Sequence, residues 1–309
     1  MTGEIVVCGS LNMDLVARVA TLPRPGETVA GHGLQRLPGG KGLNQAVAAA
    51  RMGAKVAMIG ARGDDADGAT LAALLTAEGI DVRGLCVRAL GDAGTAHTGL
   101  AQVLVADDGE NAIVVYGGAN ATLTPAEARA ALMAAWPDEG TARVERVAVA
   151  QLETPPATVA AFFEAARSRG ARTLLNTAPA LPGTQDLLAL ADLVVLNETE
   201  LAHYAGAVTE DLAAAAQRLI SRPQQTIIVT LGAQGAVVIT ADAVMRHAAP
   251  TVTVVDTTGA GDCFCGVLAA SIAQGHDLAA AVPRAVAAAS LAVTRVGAAP
   301  SMPYASESN

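Results

Sequence analysis

Short apolar runs alternate with amphipathic stretches along most of the chain, and the runs predict six β-strands. These are Ile5–Cys8, Val56–Ile59, Val147–Ala150, Thr173–Leu175, Leu193–Leu196 and Ile227–Leu231. The amphipathic stretches predict helices at Leu43–Met52, Ala66–Glu78, Pro125–Ala135, Pro156–Arg169, Asp211–Ser221, Ala260–Gln274 and Leu278–Thr294. Continuously apolar strands that alternate with helices are typical of a parallel sheet covered on both faces. We therefore expect an α/β fold with a central, mostly parallel sheet.

Two segments depart from this rhythm and predict a small accessory sheet. Leu15–Leu37 contains β-like pieces interrupted by prolines and glycines. Thr98–Tyr116 has two alternating runs around Asp108–Gly109, a strong turn signal, and so predicts a hairpin. The alternative is a pair of ordinary antiparallel strands at the edge of the main sheet. No Ser/Gly-rich linker separates these segments from the rest, so residues 1–309 are expected to form one domain.

Charge and composition narrow the range of functions. Twenty basic and 29 acidic residues give a net charge of -9, which argues against nucleic-acid or anionic-membrane partners. Aromatic residues make up only 2%, too few for base-stacking platforms. No apolar run approaches the roughly 20 residues of a membrane span. No secretory pattern precedes the first strand, so we expect a cytoplasmic protein.

The strongest chemical signal is DTTGAGD, Asp256–Asp262, between a strand-like run and a long helix. Its glycines let backbone N–H groups converge, and the helix amino terminus adds positive potential, so the motif predicts a cradle for an anion. Asp262 in the first helical turn would then be a base that takes a proton from a hydroxyl attacking a phosphoryl group. The alternative is an aspartate that merely stabilises its own helix.

Two further motifs offer groups for a polar ligand. In LPGGKGLNQ, Lys41 and Asn44 lie near a helix start and could donate to ligand oxygens. In GSLNMD, Asn12 and Asp14 are two apart, so in an extended segment they point to the same side and could bind vicinal hydroxyls. Taken alone, the first motif is equally a turn into a core helix, and the second is equally turn chemistry.

Polar residues also follow several of the predicted strands, where ligands of open α/β sheets bind. They are Gln151, Glu153, Asn176, Asn197, Glu200 and the segment Thr230–Gly235. Each alone could be a helix cap. Asn197 and Glu200 in particular have the spacing of a capping box.

Together and in this order, the motifs closely resemble the ribokinase family of carbohydrate kinases. The resemblance runs through GSLNMD, PGGKGLNQAVAAARMGA, QLETP, LNTAPA, LNETE, VTLGAQG, VDTTGAGDCFCG and TRVGAAPSMP. It implies transfer of the γ-phosphate of ATP to the 5-hydroxyl of D-ribose. The alternatives are another acceptor on the same scaffold (deoxyribose, fructose, keto-deoxygluconate or a nucleoside) or a non-catalytic sugar-binding protein.

The resemblance also implies roles for individual residues. Asp262 matches the base, with Gly259, Ala260 and Gly261 forming the anion hole. Sugar-binding positions are matched by Asn12, Asp14, Gly40, Lys41, Asn44 and Glu153. Nucleotide-binding positions are matched by Asn197, Thr230, Leu231, Gly232, Ala233, Gln234 and Gly235, besides Gly261. Glu200 matches a residue that holds Mg²⁺ through water.

The remaining implications concern K⁺, adenine and the accessory sheet. Positions of an activating K⁺ site are matched by Asp256, Thr258, Ala292, Arg295, Gly297 and Ser301. Val286 stands where many relatives have Asn or His near the adenine, so adenine recognition is expected to be looser or apolar. The accessory sheet, at Leu15–Leu37 and Thr98–Tyr116, matches a lid that covers the sugar and forms a homodimer contact.

Overall fold

The computed structural model describes residues 3–90, 97–137, 145–206 and 211–307. The strands in this part of the chain are β1 (Glu4–Cys8), β2 (Asn12–Val19), β3 (Gly31–Gly39), β4 (Lys55–Gly63), β5 (Asp81–Arg88), β6 (Gly99–Ala106), β7 (Asn111–Tyr116), β8 (Arg146–Ala150), β9 (Arg172–Asn176), β10 (Leu193–Asn197), β11 (Thr226–Thr230), β12 (Ala236–Ile239) and β13 (Val244–His247). The helices are α1 (Lys41–Arg51), α2 (Ala66–Ala77), α3 (Pro125–Ala135), α4 (Pro156–Ser168), α5 (Gln185–Leu190), α6 (Glu198–Ala205), α7 (Leu212–Gln217), α8 (Ala260–Ala273) and α9 (Leu278–Ala292).

The main sheet is mostly parallel, which confirms the predicted fold class. Its strand order is β13-β12-β11-β10-β9-β8-β1-β4-β5. Every pair from β5 across to β11 is parallel, and β12 and β13 add antiparallel pairs at one edge. Burial on both faces explains why the central strands read as unbroken apolar runs.

Helices cover both faces of this sheet. Ile5 and Val7 of β1 share one core with α1, α2, α8 and α9. Val6 and Cys8, which alternate with them, face the other core, formed with α3 to α7. This alternation is the period of two expected of a strand. Among the described residues, none of the helices has the length and apolar character needed to span a membrane.

A second, four-stranded sheet lies apart from the main one, as the accessory sheet was predicted to do. Its order is β3-β2-β6-β7, with β2 and β6 parallel and the outer pairs antiparallel. The β6–β7 hairpin turns at Gly109, whose φ of 90° suits the residue without a side chain. The alternative of extra edge strands on the main sheet is therefore wrong.

The remaining differences from the predicted elements lie where packing outweighs local pattern. The apolar pattern did not predict the strand β5, because its sequence contains charged residues and a glycine. It is an edge strand, and its residues are only partly buried. The helix expected over Asp211–Ser221 ends at Gln217. There, Leu219 and Ile220 donate to the carbonyls three residues before them, which tightens the chain out of the helix.

Candidate active site

The carboxyl ends of the central parallel strands and the amino ends of α1 and α8 meet on one side of the sheet. Asn12 lies just past β1, Glu153 lies just past β8, and Asn176 ends β9. Lys41 begins α1, and Asp262 lies in the first turn of α8. Because ligands of open α/β sheets bind at this edge, we take it as the candidate active site.

Close packing of α1 on α8 brings the site together. A Cβ atom on Gly266 would lie 2.5 Å from the carbonyl oxygen of Gln45 and 2.6 Å from the Cβ atom of Ala48. Only glycine permits this approach of the two backbones. Gly266 lies one turn beyond Asp262 on α8, so the same contact sets Asn44 and Gln45 beside the Asp262 carboxylate.

Asp262 is buried, with 6% of its surface exposed, and both of its oxygens accept a hydrogen bond. Asn44 Nδ2 donates to Oδ2 and Gln45 Nε2 donates to Oδ1, each at 2.9 Å. Gly259 precedes α8 with a φ of 76°, a left-handed conformation that glycine adopts readily. The first N–H groups of a helix have no partner within it, and its dipole favours an anion. The carboxylate thus lies beside an amino terminus that can hold an anion.

The start of the small sheet contributes the next part of the site. Asn12 begins β2 and is buried. A Cβ atom at Gly39, on the facing strand β3, would lie 2.2 Å from Asp14 Oδ2, so the missing side chain makes room for this carboxylate. Asn44 Oδ1 is buried and accepts no hydrogen bond from any described residue. A buried acceptor without a partner is costly unless a ligand donates to it.

Sequence reasoning missed Asn120, which holds Asn12 in place. Its Nδ2 donates to Asn12 Oδ1 at 2.8 Å and to the carbonyl of Leu11 at 3.1 Å, and its Oδ1 accepts from the Leu11 N–H at 2.9 Å. Asn120 is itself buried in a short 3₁₀ turn after β7. The available signal was a lone asparagine just after a predicted hairpin, and nothing local linked it to a segment 108 residues away.

The charges of the site are concentrated around Lys41. Burial opposes the charge of Lys41, but the carboxylates of Asp262, Glu153 and Glu200 outweigh it, so the pKa of Lys41 is raised. Burial, followed by repulsion from Glu153 and Asp262, raises the pKa of Asp14 to about 7, although Lys41 opposes the shift. Several acidic side chains therefore share one cation.

Glu153 is fixed at the amino end of α1. The Ser10 hydroxyl donates to its carboxylate, and the backbone N–H of Lys41 donates to the same oxygen at 3.1 Å. A carboxylate at a helix amino terminus is favoured by the helix dipole. The other carboxylate oxygen, Oε1, accepts no hydrogen bond from the described residues.

Asn197 and Glu200 form the capping box that their spacing allowed. The Asn197 side chain accepts from the Glu200 N–H at 2.8 Å, and the Glu200 carboxylate accepts from the Asn197 N–H at 3.1 Å. Glu200 also accepts from Asn197 Nδ2 and from the hydroxyl of Thr177, each at 3.0 Å. Asn197 is exposed while Glu200 is buried. The pair therefore starts α6 whatever else it binds.

The predicted nucleotide segment follows β11, next to the end of β10. The Thr230 hydroxyl contacts the carbonyl of Leu196 at 3.4 Å, so this segment and Asn197 are neighbours. Gly232–Gln234 form an exposed 3₁₀ turn, flanked by Leu231 and by Gly235. Val286, which was expected near the adenine, is buried in the core on α9.

The residues of the predicted K⁺ site lie at Ala292, which ends α9, and on two loops that Asp256 joins. One carboxylate oxygen accepts from the Thr258 N–H at 2.9 Å and the other from the Gly297 N–H at 2.8 Å. A Cβ atom on Gly259 would lie 2.9 Å from Ala298, so these loops pack against the start of α8. Ala292 and Ser301 are buried, and the Arg295 side chain is paired with Glu307 at 2.6 Å. In the described ranges, no cluster of three His, Cys, Asp or Glu side chains could hold a metal.

Comparison with known proteins places the whole chain in a family. The model for the pfkB family of carbohydrate kinases matches residues 2–305. A ribokinase of Bacillus subtilis is 38% identical over 98% of this chain and 97% of its own length. A deoxyribokinase of Salmonella typhi is 34% identical over 99% and 97%. The chain belongs to the pfkB family of carbohydrate kinases.

Solved structures agree with this membership. The structure of a ribokinase of Arabidopsis thaliana, complexed with ribose and ATP, superposes with a TM-score of 0.84. The two sequences are 28% identical, and the match covers 100% of this chain and 98% of the other. The expected resemblance to the ribokinase family is thereby confirmed.

Proposed function

We propose that the protein transfers the γ-phosphoryl group of ATP to the 5-hydroxyl of D-ribose, giving D-ribose 5-phosphate. The observation that carries the proposal is the buried Asp262 carboxylate, held by two amide donors beside the amino end of α8. The choice of D-ribose as the acceptor rests on the similarity to ribokinases that match nearly the whole chain. A site that combines a fixed base with an anion cradle suits phosphoryl transfer, which depends mainly on positioning and charge stabilisation.

In this mechanism, Asp262 accepts the proton of the 5-hydroxyl as the hydroxyl oxygen attacks the γ-phosphorus. The bond between the γ-phosphorus and the bridging oxygen of ATP breaks, and ADP leaves with that oxygen. The amino end of α8 at Gly259, Ala260 and Gly261 stabilises the charge on the transferred group, although the Ala260 N–H also donates to the carbonyl of Thr257 at 3.2 Å. Asn12, Asp14, Gly40, Lys41, Asn44 and Glu153 hold the sugar. The free Asn44 Oδ1 and the second oxygen of Glu153 are acceptors that suit sugar hydroxyls.

ATP is proposed to lie along Asn197 and the segment Thr230–Gly235. Glu200 is proposed to hold Mg²⁺ through a water molecule. Glu200 fits this role because three donors occupy its carboxylate, which offers about four acceptor sites. One site therefore remains for a metal-bound water. When bound, Mg²⁺ neutralises charge on the phosphates.

K⁺ is proposed to bind between the loops that carry Asp256 and Gly297. The carboxylate of Asp256 ties these loops together through two backbone N–H groups, and the carbonyls of such loops are suitable ligands for a hard cation. Through Gly259 the loops are packed on the anion cradle. Replacing K⁺ with Na⁺ at fixed ionic strength should lower kcat; equal turnover in both salts would remove K⁺ from the proposal.

The small sheet is proposed to be a lid over the sugar and the contact of a homodimer, within a single domain. Leu34, Ile113, Val114 and Val115 are 72%, 55%, 68% and 54% exposed, and the last three lie on the edge strand β7. An apolar edge of this kind favours pairing with a second copy. Val114→Lys should shift the molar mass in light scattering from dimer to monomer. Val244→Lys, on the far edge strand β13, is the control and should not. A monomeric wild type would contradict the proposal.

A coupled kinase assay across sugars and nucleosides tests the reaction itself. D-ribose should have the highest kcat/KM of the panel. Because the chain is also similar to a deoxyribokinase, the most informative comparison is between the kcat/KM values for D-ribose and deoxyribose. Ribose binding in calorimetry without ATP turnover would instead favour a non-catalytic sugar-binding protein. The cytoplasmic location expected from the sequence stays a prediction.

A further inference from the structure

Three buried amide side chains lie behind Asp262, and the reaction as described gives them no role. Gln45 is in α1, Gln151 follows β8 and Asn176 ends β9. Gln45 and Gln151 are fully buried and Asn176 is 6% exposed. Burying polar side chains is costly unless their hydrogen bonds are made, so the arrangement of these bonds is informative.

Gln45 makes three of the four hydrogen bonds that its amide allows, including both of its donations. Its Nε2 donates to Asp262 Oδ1 at 2.9 Å and to Asn176 Oδ1 at 3.2 Å. Its Oε1 accepts from Gln151 Nε2 at 2.7 Å. An ionised carboxylate can only accept, so the nitrogen of Gln45 must face Asp262. The donor on Gln151 enforces the same orientation from the other end of the amide.

The orientation matters because the opposite one would harm the base. If the Gln45 amide turned over, its oxygen would face the Asp262 carboxylate, and the two acceptors would repel each other. The Asp262 side chain would then rotate away, and the sugar hydroxyl would lose its acceptor. Asn176 opposes this turn, because its Oδ1 would then face the Gln45 oxygen, and its Nδ2 donates to the Val195 carbonyl at 3.4 Å. Gln151 opposes it as well, because its Nε2 would face the Gln45 nitrogen; its own Oε1 has no partner in the described part of the chain.

We propose that Gln45 is a positioning residue for the base Asp262 and that Gln151, with Asn176, fixes the direction of the Gln45 amide. This inference rests on the proposed kinase function. It also explains why the strand-end residues Gln151 and Asn176 are polar although both are buried. Their effect on turnover passes through Gln45, because it is the one of the three amides hydrogen-bonded to Asp262.

Methionine substitutions test the chain of amides because methionine matches glutamine in length and is apolar. Gln45→Met should lower kcat about 10–100-fold, by analogy with the loss of a hydrogen-bond partner behind a metal ligand. KM for ribose should change less than about threefold, since Gln45 is not among the sugar-binding residues. Gln151→Met should lower kcat less, about 3–10-fold. The double variant should have the kcat of Gln45→Met alone, because Gln151 acts through Gln45.

A matched control separates this role from the general cost of losing a buried amide. Gln225 is equally buried, and its Nε2 donates to the carbonyls of Leu188 and Ala191. These residues lie near the amino ends of β10 and β11, on the side of the sheet opposite the site. Gln225→Met should lower Tm but leave kcat unchanged. If Gln45→Met does not fold, the fall in kcat of Gln151→Met at constant KM is the test.

The outcomes distinguish the two proposals. A wild-type protein that phosphorylates no sugar of the panel would overturn the proposed function. An active wild type with undiminished kcat in folded Gln45→Met and Gln151→Met would overturn the positioning role alone. Effects that multiply in the double variant would show that Gln151 does not act through Gln45.

Discussion

The two ends of the proposed sugar site treat a carboxylate in opposite ways. At the α8 end, Asp262 is buried and each of its oxygens accepts an amide hydrogen bond. At the end formed by the small sheet, Asp14 receives no hydrogen bond from the described residues. Burial and the nearby Glu153 and Asp262 raise its pKa to about 7.

The difference teaches what each end is built to do. Asp262 is held between two packed helices, so its position is set before any ligand arrives, as preorganised catalysis requires. Asp14 lies on β2, at the start of a sheet whose outer strand is exposed, and its hydrogen bonds are left for a ligand to supply. The two ends therefore differ in that the hydrogen bonds of the carboxylate are left open where substrate binds and are already made where the base acts.

Replacing the base tests the α8 end with the largest expected effect. Asp262→Asn should fold normally and bind ribose, but its kcat should fall about 10²–10⁴-fold because the 5-hydroxyl loses its proton acceptor. Steady-state kinetics and calorimetry with ribose measure the two properties. Asp242→Asn, which changes an exposed carboxylate, is the control and should leave both kcat and ribose binding unchanged. If Asp262→Asn turned over at nearly the wild-type rate, Asp262 would not be the base.

Forcing α1 and α8 apart tests whether their packing is what fixes that end. A Cβ atom at Gly266 would meet Gln45 O at 2.5 Å, so Gly266→Ala should destabilise the fold by about 3 kcal/mol. It should also lower kcat, because Asn44 and Gln45 would move relative to Asp262. Thermal unfolding and kinetics measure the two effects.

The control for the packing test is Gly117→Ala. Gly117 has helical dihedral angles, and an added Cβ atom would make only an ordinary contact at 3.5 Å. This variant should therefore keep its stability and turnover. If Gly266→Ala lost stability without losing turnover, helix packing would not be what positions the base.

The sequence predicted the catalytic residue at the α8 end, but it did not predict the residues that hold the site in place. Continuous apolar strands and DTTGAGD are local signals, so the parallel sheet and the place of Asp262 at a helix start could be predicted. Asn120 and Gln45 could not be assigned, because their partners lie 108 and 217 residues away and nothing local records such a contact. Gly266 likewise looks like any helical glycine until α1 packs against it.

Removing the charge at the small-sheet end is the smallest of the three effects and the most specific. The carboxyl of Asp14 has a pKa of about 7 in the folded protein against 3.8 in the unfolded chain. Between these values the folded state binds the extra proton, so the stability contributed by this group falls as pH rises from about 4 to about 7. Asp14→Asn has no such proton to lose, and its stability should not fall over this range for this reason.

The free energy of unfolding of Asp14→Asn, relative to the wild type, should therefore rise between pH 4 and pH 8. The full shift would correspond to roughly 4 kcal/mol, but partial exposure of the side chain reduces the expected gain to about 1–2 kcal/mol. Urea unfolding at both pH values measures it, with Asp242→Asn as the control. KM for ribose should increase in the same variant, because the ligand loses a charged acceptor. A relative stability that stays flat from pH 4 to pH 8 would mean that Asp14 carries no unfavourable charge, and the contrast between the two ends would disappear.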